Sequence, residues 1–455
     1  MMPLVRRSSL SHILVCAVPN PGHVQPMSAI ARHLESVGHS VTFNTSENFR
    51  DQFESTGIRF VAMTGKANLD YRRRPDPPDR RVLSADDLKM HVLKTACVDT
   101  LADQHQGIQQ ILQETPIDVV LIDTTLFGAF PMLLGPKHKR PPVIGCGVNP
   151  VMLSSRDCGL ISPPDDSAEG KRRILEEHQR VQSTFRPITD SINSMMNACG
   201  AAPLPRFFLD CMYLLPDVFL QFTAEAFEFP RSDMPDTMRF AGPLLPRPSV
   251  EFKEPSWWSE LDAGKPVVLV TQGTLANQDF NELIQPALLG LADENVIVIA
   301  ATGRPDAHTI VTPENARIAS FVPFDKILPK VDVFITNGGY GAANHAFSLG
   351  VPIVVAGDTE DKDYIAARVG WTRAGINLKT RYATAEQVRD AVRTILTDQH
   401  YRDEAERLRM NFSRYNALAE IARTVDAMLW KERARMTAAG NEVPVARHAG
   451  FNSGQ

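Results

Sequence analysis

The side chains able to do acid–base chemistry stand at the ends of apolar runs. His23 follows the run Ile13–Val18 in "AVPNPGHVQPM", and Asp123 closes the run Val119–Ile122 in "VVLIDTTLFGAF". An imidazole hydrogen-bonded to a carboxylate is held in one tautomer, and its protonated form is stabilised. That is what a general base acting on a hydroxyl requires. If the two runs share a sheet, both groups emerge at its carboxyl edge and can meet there. Each also has a plainer explanation: a loop histidine capping the next helix, and an N-cap aspartate ahead of Thr124 and Thr125. His33 and His39 fall on the exposed side or at the end of the helix after His23 and read as surface residues.

A second group of residues suits an anion. Val333–Thr336 leads into Asn337-Gly338-Gly339-Tyr340-Gly341, and then into a short helix from Ala342 to Leu349 ended by Gly350. Gly273-Thr274 follows Val267–Thr271 in the same manner. Glycines at such joints let the backbone approach a ligand closely, while a helix N-terminus presents unpaired N–H groups and partial positive charge. Two such turns in one domain fit a diphosphate. Neither matches Gly-x-Gly-x-x-Gly or Gly-x-x-x-x-Gly-Lys-Ser/Thr, which sets dinucleotide redox and P-loop chemistry aside.

The elements that must position these residues follow from length and pattern. A chain of 455 residues exceeds one hydrophobic core and implies two domains of about 200 residues each. Apolar residues at 43% and charged residues at 22% exclude a disordered or fibrous chain. The net charge of −5, with both signs interspersed, leaves no basic stripe for nucleic acid. No run nears the roughly 20 apolar residues of a membrane span. Ile13–Val18, too short for a signal peptide, runs into Pro-Asn-Pro-Gly and reads as a first strand. The six cysteines show neither Cys-x-x-Cys nor zinc-ligand spacing, the pattern of reduced thiols in a cytoplasmic protein.

Apolar, β-branched runs alternate with amphipathic helices throughout, which predicts an α/β fold of doubly wound parallel sheets. The first half carries Ile13–Val18, Val41–Asn44, Val119–Ile122, Val143–Val148 and Val218–Phe222. The second carries Val267–Thr271, Val296–Ala301, Ala316–Phe321, Val333–Thr336 and Ile353–Ala356. The expected organisation is an acceptor-binding domain at 1–245, a proline-rich linker at 246–256 and a donor-binding domain at 257–400. One long helix at 401–430 and a polar tail at 431–455 complete it. Pro26 suits the first turn of the helix after His23, and Tyr71–Arg81 reads as a solvated loop.

The stretch Phe321–Val369, "FVPFDKILPKVDVFITNGGYGAANHAFSLGVPIVVAGDTEDKDYIAARV", resembles the donor-binding signature of the family 1 UDP-glycosyltransferases. Gly22-His23 with Pro26, Asp123, "FAGPLLP" and "VTQGT" extend the resemblance over most of the chain. It implies a GT-B-type fold, two Rossmann-like domains facing across a cleft, with the final helix crossing back to the first domain. It also implies that His23 is the general base and Asp123 its partner. Phe321 would stack on uracil and Val322 pair with the base through its backbone. Thr274, with Gly273, would touch the pyrophosphate, and Gly338, Gly339, Tyr340, Gly341 and Ala342 would cradle it. Asp361 matches the first residue of the pair that holds sugar hydroxyls.

Five positions depart from the family pattern. Asn337 stands for a phosphate-contacting histidine, and Gly341 and Ala342 for side-chain phosphate donors. His345 stands for a ribose-binding glutamate, and Lys362 for a glutamine, where a cation would favour an acidic sugar unless it faces solvent. The resemblance implies metal-free, inverting transfer from a nucleotide sugar, UDP-glucose or a related UDP-sugar, to a lipophilic hydroxyl compound, with no further cofactor. Met195, Met196, Phe207 and Phe208 are candidates to line its pocket. The competing readings are a nucleotide-sugar epimerase and a non-catalytic nucleotide-sugar-binding protein.

Overall fold

A computed structural model describes residues 11–71, 82–246, 252–273, 277–305 and 310–438. Thr274, most of the Tyr71–Arg81 loop, part of the proline-rich linker and the end of the tail lie outside those residues.

The strands of the first sheet are β1 (His12–Cys16), β2 (Ser40–Thr45), β3 (Arg59–Ala62), β4 (Val119–Asp123), β5 (Val143–Gly147), β6 (Val218–Gln221) and β7 (Met238–Phe240). They lie in the order β3-β2-β1-β4-β5-β6-β7, every pair parallel. The second sheet holds β8 (Val267–Thr271), β9 (Ile297–Ala301), β10 (Ala316–Ala319), β11 (Val333–Thr336), β12 (Ile353–Val355) and β13 (Gly375–Asn377). Its order is β10-β9-β8-β11-β12-β13, again all parallel.

Side-chain alternation explains why the strand sequences are continuously apolar. Along β1, Ile13 and Val15 pack into the core on one face while Leu14 and Cys16 pack into the core on the other. β8 divides likewise, Val267 and Leu269 against Val268 and Val270. A parallel sheet covered by helices on both faces has no wet side, so the period of two disappears from the sequence. The three strands absent from the sequence reading, β3, β7 and β13, are all at sheet edges. Edge strands need less apolar cover, and these are three or four residues long.

Three boundaries and one residue's burial differ from expectation. The helix after β1 runs Pro21–Ser36, so His23 lies in its first turn and Pro26 inside it. Pro21 takes the first-turn place and the Asn20 side chain accepts from Gly22 N at 2.9 Å as the cap. His39 is buried rather than exposed. The expected single helix at 401–430 is two, Gln399–Phe412 and Ala417–Ala438, and the second continues into the expected tail. Its Ile421, Val425 and Leu429 pack into the first domain's core.

The two sheets are joined through a buried charge. Arg368, on the helix Lys362–Thr372, has no exposed surface and pairs with Glu228 of the first half, itself buried. Its remaining donors go to Val151 O at 2.6 Å, Tyr364 O at 2.8 Å and Leu160 O at 3.1 Å. Glu228 also accepts from Val151 N at 3.0 Å and the Tyr340 hydroxyl at 3.2 Å. Removing one partner strands the other charge, so Arg368→Met should destabilise the protein by about 3–5 kcal/mol, read as a lowered urea midpoint. The double variant Glu228→Gln/Arg368→Met should recover much of that loss.

Candidate active site

In both sheets the chain order reverses beside the first strand of the half: between β1 and β4, and between β8 and β11. Neighbouring loops diverge at such a point and leave a crevice at the strands' carboxyl ends. Cys16 pairs with Ile122 in register, so Asp123 ends β4 next to the turn leading to His23. The first crevice therefore receives both acid–base residues.

His23 Nδ1 lies 3.1 Å from Asp123 Oδ1, the two side chains 10% and 0% exposed. Asp123 is held from several sides. Val18 N donates to its Oδ2, while Thr125 N at 2.8 Å and Thr125 Oγ1 at 3.1 Å donate to Oδ1. With Nδ1–H directed at the carboxylate, Nε2 on the other edge of the ring is the basic nitrogen. Burial alone would push the imidazole pKa down. The Asp123 charge and hydrogen bond outweigh it, with Asp361 and Glu360 adding, and the pKa is raised above its usual value.

The second crevice holds the glycine turns. Thr336 pairs with Thr271 in register, placing Gly273 beside Asn337–Gly339. Gly338 has φ +94°, and Gly273 φ +75°, conformations that L side chains rarely adopt. A Cβ on Gly357 would stand 2.2 Å from Asn337 O, so the backbone of residue 357 packs directly against the turn. The helix is Tyr340–Ser348, with Gly339 as a cap that has no side chain. Its first internal bond is Ala343 N to Gly339 O at 3.0 Å, so the Tyr340, Gly341 and Ala342 amides precede the helical ladder. Gly341 is exposed, and a Cβ there would meet nothing within 4 Å among the described residues.

Several donor candidates are committed elsewhere. The Tyr340 ring stacks on Phe227 and its hydroxyl accepts from Gln221 Nε2 at 2.9 Å, so the side chain belongs to the domain seam. Asn337 Nδ2 donates to Gln272 O at 2.6 Å, tying the two glycine turns together. Lys362 is buried rather than solvent-facing, its Nζ bonded to Glu360 at 2.7 Å and Thr359 at 3.0 Å. His345 is buried beside Phe324; burial pushes its pKa down against the pull of Asp325. Phe321 is 69% exposed just beyond β10, and Val322 is buried.

The two domains meet beside the first crevice. Asn149 Nδ2, in the loop after β5, donates to Asp361 Oδ2 at 2.8 Å, and Lys89 Nζ pairs with Asp363 at 2.6 Å. Between them lies a cavity of about 130 Å³, polar at His23, Thr125, Asn149 and Asp361, and apolar at Phe127, Phe185, Phe208 and Met212. Of the four pocket candidates from the sequence, Phe208 reaches this cavity. Met195, Met196 and Phe207 pack into or against the core instead. Asn149, Thr125 and Lys89 were missed. The first two follow strand ends, the same positional signal that singled out His23 and Asp123.

A match to the family described as "Erythromycin biosynthesis protein CIII-like, C-terminal domain" spans residues 284–428. The chain is 33% identical to "UDP-glycosyltransferase 2" of Phaeomoniella chlamydospora, covering 93% of this chain and 97% of that one. It belongs to the family 1 UDP-glycosyltransferases. It is also 34% identical to "4'-demethylrebeccamycin synthase" of Lentzea aerocolonigenes, covering 92% of this chain and all of that one. The crystal structure of the glycotransferase of kitacinnamycin superposes with a TM-score of 0.70 at 19% identity, covering 92% and 99% of the two chains. That agreement gives the GT-B fold. The protein is a glycosyltransferase of natural-product type, and the epimerase and non-catalytic readings fall away. Among the described residues no helix is long and apolar enough to cross a membrane.

Asp123→Asn keeps the shape of the contact and removes the charge, leaving burial to dominate. The His23 resonance in an NMR titration should then move roughly one to three pH units lower. Because the folded pKa is the raised one, the pair stabilises the wild type fully below the unfolded imidazole value. That contribution is lost as pH rises through the folded pKa, and Asp123→Asn should lack it.

Proposed function

We propose that this glycosyltransferase moves a sugar from a nucleoside diphosphate donor, a UDP-sugar such as UDP-glucose, to a hydroxyl of a lipophilic small molecule. The observation that carries the reading is the buried His23–Asp123 contact at 3.1 Å, opening on the same cavity as Asp361 of the other domain. His23 Nε2 takes the proton as the acceptor oxygen attacks the anomeric carbon. Asp123 stabilises the imidazolium that results. The attack displaces the nucleoside diphosphate from the opposite side and inverts the anomeric centre.

Charge builds on the departing diphosphate, and preorganised amides stabilise developing charge without reorganising. In this reading the Tyr340, Gly341 and Ala342 amides and the Gly273 turn receive it, with Thr274 adding a hydroxyl. Asn337 contributes by fixing the two turns to each other. Phe321 stacks on the base, Val322 pairs with it through its backbone, His345 lies near the ribose, and Asp361 accepts from sugar hydroxyls. Lys362 is already paired with Glu360, which removes the argument for an acidic sugar. The apolar end of the cavity, Phe127, Phe185, Phe208 and Met212, supports an aromatic or otherwise lipophilic acceptor. The relatives named above carry UDP-glycosyltransferase and rebeccamycin-synthase names, consistent with such a donor and acceptor.

Screening nucleotide sugars against lipophilic phenols and alcohols, with mass detection, tests the reading. His23→Ala should lower transfer by about 10²–10⁴-fold, the usual worth of a general base, while UDP binding measured by calorimetry stays within a factor of two or so. In the wild type, kcat/KM should fall as pH drops through a His23 pKa above the ordinary histidine value. An active His23→Ala enzyme rules out the base assignment.

A further inference from the structure

Asn149 stands immediately beyond β5 in the first domain, yet its side chain serves the second. Its Nδ2 donates to Asp361 Oδ2 at 2.8 Å, and both residues border the cavity that contains His23. The loop is pinned from behind. Gln221 Nε2 donates to Asn149 O at 2.7 Å and to the Tyr340 hydroxyl at 2.9 Å, so the backbone of residue 149 is tied to the helix that opens with the amide turn. The other end of the carboxamide, Oδ1, is shielded and meets no protein donor among the described residues. A buried acceptor left unfilled is unfavourable, and an apolar side chain of the same size would avoid it. The amide is therefore accounted for by what its Nδ2 does.

We infer that Asn149 is a positioning residue for sugar transfer, holding the Asp361 carboxylate across the domain seam and aimed at the sugar's hydroxyls. The inference rests on the proposed role of Asp361 as the sugar-binding carboxylate. Asp361 sits at the start of the helix Lys362–Thr372 and makes no capping bond there, so its own helix does not orient it. The groups acting on it come from both domains. Burial pushes its carboxyl pKa up, Glu360 adds to that, and the Asn149 hydrogen bond, Lys362 and His23 oppose it. Asp363, the next acid along, is paired with Lys89 of the helix Ala85–Val92. Without Asn149, Asp361 loses its largest opposing contact and protonates at higher pH. A protonated Asp361 accepts fewer hydrogen bonds from the sugar.

The test uses the full-length enzyme, the donor on which wild type is most active, UDP as the sugar-free control, and the variants Asn149→Leu, Asn149→Ser and Asp361→Asn. Asn149→Leu should lose about 10–100-fold in kcat/KM for the donor, the range for a hydrogen bond to a charged group. That loss should be larger at pH 6 than at pH 8. UDP affinity should be unchanged within about twofold, and Asn149→Ser, which keeps a donor, should recover part of the loss. If Asp361→Asn is impaired while Asn149→Leu matches wild type at both pH values, the inference fails and the role of Asp361 stands. If neither variant is impaired, the sugar-binding role of Asp361 fails and takes the inference with it. Equal loss of UDP and donor binding in Asn149→Leu marks a structural residue and also overturns the inference.

Discussion

Arg368 carries a full positive charge with no surface exposed to water, and Glu228 is the carboxylate that makes this tolerable. Desolvating two such groups is costly, and the cost is met only when geometry is good and every remaining donor is filled. Here the guanidinium also reaches three backbone carbonyls, and its plane lies over the Phe229 ring at 4.7 Å. Those partners come from both halves of the chain. A shift of one domain against the other would break the set together, so the relative placement of the two sheets is tightly specified.

That placement is what makes a site. Each domain supplies an incomplete crevice: one with an imidazole and its carboxylate, the other with a turn of unpaired amides. The seam contacts run outward from the ion pair through Tyr340, Gln221, Asn149 and Asp361 toward His23. The same bonds that join the domains therefore hold Asp361 beside the cavity that contains His23. The acidic residues gathered on this path, Asp123, Asp361 and Glu360, together raise the His23 pKa against the effect of burial.

Much of this was legible in the sequence because it depends on local pattern. Doubly covered parallel strands are apolar throughout, so ten of them could be picked out as runs; the three short edge strands, less covered, could not. The helix after β1 was placed too late because two prolines, Pro21 and Pro26, both qualify for a first turn, and only the Asn20 cap decides between them. The break between Phe412 and Ala417 was hidden because both flanking helices are amphipathic, each packing on a different domain.

By itself the sequence determined the two-domain α/β plan, the residue types at the strand ends and the glycines that keep the anion turn open. These are set by short-range sterics, periodicity and the rule that polar groups collect where parallel strands end. Tertiary structure alone decided what each polar side chain does. Tyr340 and Asn337, read as ligand contacts, serve as braces; Lys362 is neutralised by Glu360; and Asn149, unremarkable in the sequence, holds a carboxylate of the other domain. A hydrogen bond or ion pair joins whichever groups the fold brings within about 3 Å, and residues 149 and 361 become neighbours only when two sheets formed from distant parts of the chain close on each other.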